Sequence, residues 1–347
     1  MIDILGEDAK NLIYVENLLK AMMEKYKYNY IKMPVLEKKE LLSFIKDEVE
    51  DGLRPNGTIV NDKSFELYNS GGKKLRPMFT ILAGKLGDKE HYNDVLKTSA
   101  SLELLHMATL VHDDIIDDSE LRRGKPTVFY EHGYFQAVNT GNYLLSSALQ
   151  IVSKIDSPKF HETYSSGIRQ IVQGELIQFD TQFDAAQTLD DYFKKIYRKT
   201  ALLIVLSIEL GGHAAHLDDE LMDKLRAYGY HIGMSFQIID DCLDFTGSTR
   251  TLGKPNYSDI KNGHYTLPVL LLRDSDPVFK TMLEEFSDTK ENPGALIDYI
   301  LNSDAVDRAL LVSTEHIEQA EAEISNIEEP IRHYFTEIAG MLKNRRN

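Results

Sequence analysis

Two long apolar segments, each ending in a cluster of aspartates, constrain the fold of this chain more than any other feature. The first covers residues 92–118 and the second residues 224–245, and both are apolar almost all the way around a helix. This pattern is typical of helices buried at the centre of a protein. The chain has only 10 prolines among 347 residues, and few stretches alternate as strands do. The sequence therefore predicts an all-α fold with almost no sheet.

Composition and charge limit the class of protein and its partners. With 42% hydrophobic and 27% charged residues, the chain has the composition of a globular protein, and its longest apolar run, residues 201–210, is too short to cross a bilayer. The formal net charge of −16 argues against nucleic acid or anionic membrane as a partner, because either would be repelled. The single cysteine, Cys242, fits a reducing compartment, and the first residues lack the basic start of a signal peptide. We therefore expect a cytoplasmic protein whose few basic residues bind small anions.

No low-complexity linker divides the chain, so we predict one domain over residues 1–347. Residues 1–32 and the Glu-rich segment 316–330 have the pattern of amphipathic peripheral helices, and we assign them packing rather than chemistry. The motifs that carry chemistry lie within about residues 60–272.

Both aspartate clusters follow the pattern DDxxD. The first consists of Asp113, Asp114 and Asp117, and the second of Asp240, Asp241 and Asp244. Residues four apart share a helix face, where like charges repel unless a cation compensates. Mg²⁺ typically takes one or two protein carboxylates together with phosphates and water. One such cluster is as typical of a solvated helix end, but two, each after a buried segment, predict a metal site that binds a diphosphate.

Three basic islands lie beside this predicted site. They are Lys73-Lys74-Leu75-Arg76, Arg122-Arg123-Gly124-Lys125 and Arg198-Lys199. Arginine suits bidentate recognition of phosphate, and lysine supplies a point charge. Gly71-Gly72 and Gly124 allow the backbone to approach a ligand closely. Alone, the segment GGKKLRP is equally typical of a loop before a helix, but beside the aspartates it predicts diphosphate binding.

These motifs resemble the trans-isoprenyl diphosphate synthases, and most closely the bacterial medium- and long-chain members, including the catalytic components of heptaprenyl synthases. The matching segments are GGKKLRPM (71–78), LELLHMATLVHDDIIDDSELRRGKPT (102–127), QGELIQ (173–178), RKT (198–200), GMSFQIIDDCLDF (233–245) and LGKPNYSDIKNGHYTLP (252–268). The resemblance implies a single-domain helical bundle of the isoprenoid synthase type around a central cavity. It also implies a prenyltransferase that condenses isopentenyl diphosphate with an allylic diphosphate and uses Mg²⁺.

Position by position, the resemblance implies two diphosphate sites. Isopentenyl diphosphate would be bound by Lys73, Arg76, His106 and Arg123. The allylic diphosphate would be faced by Arg122, Lys199, Thr200, Gln237 and Lys254. All six aspartates would hold Mg²⁺, and the catalytic set would be Asp113, Asp114, Asp117, Lys199, Asp240, Asp241 and Lys254. A lone histidine on a buried helix is more often a core residue, but His106 lies two turns before Asp113 on roughly the same face, which favours substrate binding.

The resemblance further implies that metals and cations stabilise the departing diphosphate while isopentenyl diphosphate attacks the allylic cation, in a cavity closed to water. A growing chain must run away from the metals, and each helical turn rises about 5.4 Å, close to one extended isoprene unit. Ala108 and Thr109 lie about one turn below Asp113 and are small, whereas short-chain members tend to carry an aromatic residue there. We therefore expect a product longer than C15; the alternative is that Ala108 only lets two helices pack closely.

Three positions differ from the usual family pattern. Tyr257, His264 and Asn142 stand where glycine, lysine and aspartate are common, and a neutral histidine would stabilise a diphosphate less than lysine. The open alternatives are a class I terpene cyclase, an HD-type phosphohydrolase built on His112-Asp113, and a catalytically weakened or non-catalytic partner subunit of a heteromeric synthase. We expect a homodimer, with a heterodimer containing a regulatory subunit as the alternative.

Overall fold

A computed structural model describes residues 53, 57–69, 74–122, 124–246 and 257–344. Helices α1 to α7 are Ile59–Asn69, Leu75–Gly84, Tyr92–Ile116, Val128–Val152, Pro158–Asp180, Leu189–Ile196 and Leu202–Ala214. Helices α8 to α14 are Asp219–Thr246, Ser258–Lys261, Leu267–Ser275, Pro277–Thr289, Pro293–Leu301, Ala305–Glu323 and Ile331–Asn344. The remaining elements are a 3₁₀ turn at Lys89–His91, a π-helical turn at Tyr197–Ala201, and the antiparallel strands β1 (Leu121–Arg122) and β2 (Lys125–Pro126).

The prediction of an all-α fold is confirmed, because the sheet in the described residues is limited to the two-residue strands β1 and β2. The two apolar segments form α3, with 25 residues, and α8, with 28. Cys242 is buried in α8, as expected of a core residue. None of the helices within the described ranges is both long enough and apolar enough to span a membrane. The predicted peripheral helix region at residues 1–32 lies outside the described residues.

Capping side chains fix the starts of helices α4, α5 and α6. The hydroxyl of Thr127 accepts a hydrogen bond from the backbone N–H of Tyr130 at 3.1 Å at the start of α4. Ser157 accepts one from the backbone N–H of Phe160 at 3.3 Å at the start of α5. Thr188 opens α6 with a capping box. Such caps satisfy backbone donors that the first turn of a helix leaves unpaired.

Helix α3 is central to the packing. It contacts α4 most extensively and also packs against α2 and α7, and one apolar core is built from α3, α4, α5 and α7. A second core joins α2, α7, α8, α13 and α14. Since α7 belongs to both cores, the two helices that carry the aspartate clusters are held in one framework.

The π-helical turn, hereafter the π turn, is clamped between α5 and α8 by two glycines. A Cβ atom on Gly174 of α5 would lie 2.9 Å from Cβ of Arg198, and one on Gly233 of α8 would lie 2.4 Å from Cα of Ala201. Both distances are shorter than packed carbon atoms tolerate. The absence of side chains on these two residues therefore fixes where the π turn presents Lys199 and Thr200.

Candidate active site

The first aspartate cluster lies at the C-terminal end of α3. Asp113 is half-buried and Asp114 buried in the last turn, whereas Asp117 follows the helix and is exposed. Asp118 adopts a left-handed φ of 49°, which turns the chain towards β1. The carbonyl end of a helix carries partial negative charge, so three carboxylates at this place are unfavourable without cations nearby.

Arg122 supplies one of these cations. Its Nε atom donates a hydrogen bond of 2.7 Å to Oδ1 of Asp114, whose side chain is only 6% exposed. Burial raises the pKa of Asp114, and the Arg122 guanidinium offsets part of that rise. Arg122 therefore lies beside the first cluster, as predicted, and its direct partner there is Asp114.

Lys199 supplies a second cation from the π turn. Its Nζ atom donates a hydrogen bond of 3.0 Å to Oε2 of Glu175 on α5. Burial alone would lower the pKa of Lys199, but Glu175, Asp113 and Asp117 together raise it. Burial also raises the pKa of Asp113 to about 7, with a further contribution from Glu175 that Lys199 opposes. Three carboxylates therefore share this lysine, which leaves an excess of negative charge that a further cation would relieve.

The second cluster is held mainly by neutral donors. Asp241 is 3% exposed and accepts hydrogen bonds of 2.7 Å from the Tyr192 hydroxyl and from Nε2 of Gln237. The Thr200 hydroxyl donates to Oε1 of Gln237 at 2.6 Å. Burial raises the pKa of Asp241 to about 7, and Asp259 adds to the rise. Thr200 and Gln237, both predicted to face the allylic diphosphate, thus link the π turn to Asp241.

Asp244 is fully buried and caps the short helix α9. Its two oxygens accept hydrogen bonds from the backbone N–H groups of Ser258 at 3.4 Å and Asp259 at 3.2 Å. Two of the three carboxylates in the second cluster, Asp241 and Asp244, therefore have both oxygens engaged by protein donors. Asp240 is the half-buried member of this cluster.

Lys195 is a buried cation that sequence reasoning missed. It is 6% exposed, and its Nζ atom donates a long hydrogen bond of 3.5 Å to the carbonyl oxygen of Tyr265. Burial lowers the pKa of Lys195, whereas Asp241 and Asp259 raise it. Lys195 and Lys199 are four residues apart; Asp241 of the second cluster acts on Lys195, and Asp113 and Asp117 of the first cluster act on Lys199. The spacing was visible in the sequence, but the burial of Lys195 was not.

A small cleft of about 90 Å³ adjoins the first cluster. It is lined by His106, Asp114 and Arg122, and by Lys74 and Glu103. The Nζ atom of Lys74 donates a hydrogen bond of 2.7 Å to Oε1 of Glu103. The predicted substrate-binding histidine therefore faces a cleft beside the aspartates, and the charged pair formed by Lys74 and Glu103 is a feature that sequence reasoning missed.

Of the other residues predicted to bind isopentenyl diphosphate, the structure describes Arg76. Arg76 is half-buried in the first turn of α2. Lys73, Arg123 and the allylic-site residue Lys254 lie outside the described residues.

His112 belongs to the contact between α3 and α4 rather than to the aspartate cluster. Burial lowers its pKa, while hydrogen bonds to the backbone of Val138 and the side chain of Asn142 act in the opposite direction. A Cβ atom on Gly141 would lie 2.2 Å from Nε2 of His112. The imidazole of His112 therefore packs against α4 and hydrogen-bonds to it, which argues against a metal site formed by His112 and Asp113. Asn142 owes its place to the same contact.

The two unusual residues after the second cluster have different settings. Tyr257 has a left-handed φ of 62°, a conformation that explains why glycine is common at this position. Burial lowers the pKa of His264, and Lys195 lowers it further, whereas Asp259 and Asp117 raise it. His264 thus lies within electrostatic reach of Asp117 in the first cluster and of Lys195 and Asp259, as a neutral side chain near pH 7.

The donor set fits a divalent cation that arrives with a diphosphate. Within the described part of the chain, no three His, Cys, Asp or Glu side chains are placed to hold a metal by themselves. Mg²⁺ tolerates this, because it is commonly bound by one or two carboxylates plus substrate phosphates. Carboxylates with raised pKa values, such as Asp113, would become fully ionised beside such a cation.

The fold and the paired aspartate clusters define the isoprenoid synthase class of all-α proteins. The chain belongs to the polyprenyl synthetase family, whose model matches residues 58–303. It is 38% identical over 281 residues to heptaprenyl diphosphate synthase component 2 of Bacillus subtilis (strain 168), a match that covers 80% of each chain.

Two solved structures share this fold. Heptaprenyl diphosphate synthase from Staphylococcus aureus superposes with a TM-score of 0.84 at 36% identity, over 89% of this chain and 98% of that one. A polyprenyl synthase from Caulobacter crescentus CB15, complexed with calcium and isoprenyl diphosphate, superposes with a TM-score of 0.82 at 30% identity, over 90% of this chain and 97% of that one.

These similarities confirm the predicted reaction class. The chain is a prenyltransferase of the trans-polyprenyl diphosphate synthase type, and the alternative of a terpene cyclase finds no support among the relatives. The roles of individual residues, the metal and the oligomeric state stay predictions.

Proposed function

We propose that this chain extends an allylic diphosphate with isopentenyl diphosphate, using Mg²⁺ that binds between the two aspartate clusters together with the allylic diphosphate. The observation that carries the proposal is the arrangement of the π turn. It presents Lys199 to Asp113 and Asp117 on one side, and Thr200, through Gln237, to Asp241 on the other.

The six aspartates have different roles in this proposal. Mg²⁺ would be held by Asp113, Asp117 and Asp240, the three aspartates that keep solvent exposure, whereas the other three are buried. Asp114 positions Arg122, while Asp241 and Asp244 hold the π turn and α9 in place. When bound, Mg²⁺ supplies Lewis-acid stabilisation of the charge that develops on the departing diphosphate.

The chain's own cations share that task. Lys199, Arg122 and Lys254 stabilise the leaving diphosphate as the allylic carbon–oxygen bond breaks. The alkene of isopentenyl diphosphate then attacks the allylic carbon, and loss of a proton restores a double bond. No side chain forms a covalent bond with the substrate. The apolar core beneath the first cluster excludes water, which would otherwise capture the cation.

Isopentenyl diphosphate occupies the cleft in this proposal. His106 and Arg122 line the cleft, Arg76 lies in α2, and Lys73 and Arg123 complete the set by resemblance. In the absence of substrate, Lys74 is paired with Glu103. A diphosphate in the cleft would compete with Glu103 for that ammonium group.

A second subunit completes the enzyme. Large apolar side chains are exposed on two consecutive helices, namely Tyr130, Tyr134, Phe135 and Leu149 on α4, and Val172, Leu176 and Phe179 on α5. Exposed apolar surface of this kind is typical of protein interfaces. A homodimer is the proposal, and a heterodimer is the alternative because the B. subtilis relative is named as one component of a synthase. Light scattering of the purified chain distinguishes them, since a monomer would contradict the homodimer.

Incubation of the purified protein with Mg²⁺, labelled isopentenyl diphosphate and farnesyl diphosphate tests the reaction. The expected result is extractable label in products longer than C15, which disappears when EDTA is added or farnesyl diphosphate is left out. Release of diphosphate from farnesyl diphosphate without incorporation of label would contradict the proposal and indicate a terpene cyclase. If the chain alone is inactive, addition of a partner subunit should restore incorporation; failure in both forms would also contradict it.

A further inference from the structure

Lys195 places a buried positive charge beside the second aspartate cluster, and none of the steps proposed above uses it. Its side chain is 94% enclosed, since the residue is 6% exposed. Among the described residues, the one hydrogen-bond acceptor for its ammonium group is the carbonyl oxygen of Tyr265, at a long 3.5 Å. An ammonium group has three N–H donors, and burying it with so few hydrogen bonds is costly unless opposite charge lies nearby.

Two carboxylates on different helices compensate this charge. Burial lowers the pKa of Lys195, whereas Asp241 of α8 and Asp259 of α9 raise it. Burial raises the pKa of Asp241, Asp259 adds to the rise, and Lys195 opposes it. Lys195 therefore attracts both carboxylates and offsets the repulsion between them.

The position of Lys195 connects it to the contacts that hold the π turn. Tyr192, three residues earlier on α6, has its ring centre 5.7 Å from the Lys195 Nζ atom and donates its hydroxyl to Asp241 at 2.7 Å. Asp241 also accepts from Gln237 at 2.7 Å, and Gln237 accepts from Thr200 of the π turn at 2.6 Å. A change in the charge at Lys195 therefore reaches Thr200 through Asp241 and Gln237.

Lys195 also contacts the segment that follows α9, residues 259–265. Tyr265 provides the carbonyl oxygen, and the residue before it, His264, donates its backbone N–H to the carbonyl oxygen of Asp259 at 2.8 Å. Burial lowers the pKa of His264, and Lys195 lowers it further. Position 264 thus carries a neutral side chain near pH 7, and Lys195 supplies a positive charge at this place from another helix.

We propose that Lys195 is a positioning residue for the allylic diphosphate: its ammonium group draws Asp241 and residues 259–265 together, which fixes Thr200 and Asp240 where the diphosphate and its metal ions bind. The inference rests on the proposed function. Isopentenyl diphosphate occupies the cleft beside the first cluster, and Lys195 is not among the residues that line it. The effect of Lys195 is therefore confined to the allylic substrate.

Steady-state kinetics of Lys195 variants test this assignment. Lys195→Met removes the charge but keeps an unbranched apolar side chain that fills the core. It should raise the KM for farnesyl diphosphate by about tenfold or more, as the loss of residues that orient ligand-binding groups commonly does, and leave the KM for isopentenyl diphosphate unchanged. Lys195→Gln, which is neutral but can still donate to Tyr265, should do the same and serves if the methionine variant unfolds.

Rescue experiments distinguish the charge of Lys195 from its packing. Lys195→Arg keeps a positive charge and should retain most of the wild-type affinity for farnesyl diphosphate. His264→Lys, introduced together with Lys195→Met, returns a positive charge to the same place from a different element and should recover part of the loss. Lys194→Met, at the exposed neighbouring position, is the matched control and should have wild-type constants.

The outcomes separate this assignment from the proposed function. Wild-type constants in the neutral Lys195 variants would overturn the role of Lys195 alone. Equal rises in the KM values of both diphosphates, or the absence of rescue by both Lys195→Arg and His264→Lys in folded variants, would also overturn it, because either result indicates packing rather than charge. Absence of incorporation by the wild-type protein in its native assembly would overturn the proposed function itself.

Discussion

The two aspartate clusters share one sequence pattern but have opposite environments. The first cluster lies at an open helix end, where Asp117 is exposed and the neighbours are the cations Arg122 and Lys199. The second is mostly enclosed, where Asp244 is fully buried and receives backbone N–H groups. Identical motifs thus have different environments: in the proposed function the open cluster would offer oxygens to metal ions, whereas Asp241 and Asp244 of the enclosed cluster hold the π turn and α9 in place.

The largest expected effect comes from the proposed metal ligands of either cluster. Asp113→Ala and Asp240→Ala should each lower incorporation of isopentenyl diphosphate by about a hundredfold or more, because each removes stabilisation of charge in the transition state. Both variants should remain folded by circular dichroism. Asp180→Ala, at an exposed position on α5, is the matched control and should be fully active. Near-normal activity in either test variant would break the proposed division of roles.

A second effect distinguishes the cations. Lys199→Ala should lower kcat by about a hundredfold, because Lys199 neutralises carboxylates of the first cluster and faces the leaving group. Lys194→Ala removes an exposed lysine on α6 that pairs with Asp190, and surface pairs of this kind contribute little. Steady-state kinetics should therefore show wild-type kcat for Lys194→Ala. Equal losses in the two variants would indicate that α6, rather than the charge of Lys199, is responsible.

The enclosed cluster should matter more for stability than the open one. Asp244→Ala removes a buried carboxylate that accepts from two partly buried N–H groups and should lower the free energy of unfolding by about 1–3 kcal/mol. Asp117→Ala, at an exposed position, should change the free energy of unfolding by less than about 0.5 kcal/mol while lowering activity. Urea denaturation measures both values. A larger stability loss for Asp117→Ala than for Asp244→Ala would reverse the comparison.

The smallest effect concerns the contact between α8, which carries the enclosed cluster, and α13 at acidic pH. His231 of α8 and His316 of α13 are joined by a hydrogen bond of 2.9 Å between their Nδ1 atoms. Burial lowers the pKa of both, that of His316 to about 4, against an ordinary value of 6.5. Because folding lowers the pKa of these histidines, protonation favours the unfolded state. The contribution of the neutral histidine pair to the free energy of unfolding is therefore present above about pH 6.5 and is lost as the pH falls towards 4.

For His316 the loss between pH 7 and pH 5 should be about 1 kcal/mol, after allowance for its partial exposure. His316→Gln should reduce the pH dependence of the unfolding free energy over this interval. An unchanged pH dependence in the variant would show that other groups cause it.

Sequence patterns predicted the architecture and the position of both clusters. Helical periodicity and the scarcity of proline were sufficient for the all-α fold, and the acids at the ends of two apolar segments placed Asp113 and Asp240 correctly on α3 and α8. These features are local, so a single segment of sequence contains them. The resemblance added His106 and Lys199 to the vicinity of the first cluster.

The environment of each carboxylate could not be predicted, because it depends on residues that are distant in the chain. Tyr192 binds Asp241 across 49 residues, and nothing in the spacing of the motif indicates that partner. No feature of the sequence distinguishes Lys195 from the exposed Lys194 beside it, and only the packing shows that Lys195 is buried. The role of His112 was ambiguous because only the contact with α4 shows where its ring points.

The central claim is that the two clusters bind metal ions together with a diphosphate rather than alone. Isothermal titration of Mg²⁺ into the wild-type protein, with and without inorganic diphosphate, tests it most directly. The account predicts weak, millimolar binding of Mg²⁺ alone and at least tenfold tighter binding, about 1.4 kcal/mol, when diphosphate is present. Mg²⁺ affinity that is unaffected by diphosphate would contradict the claim.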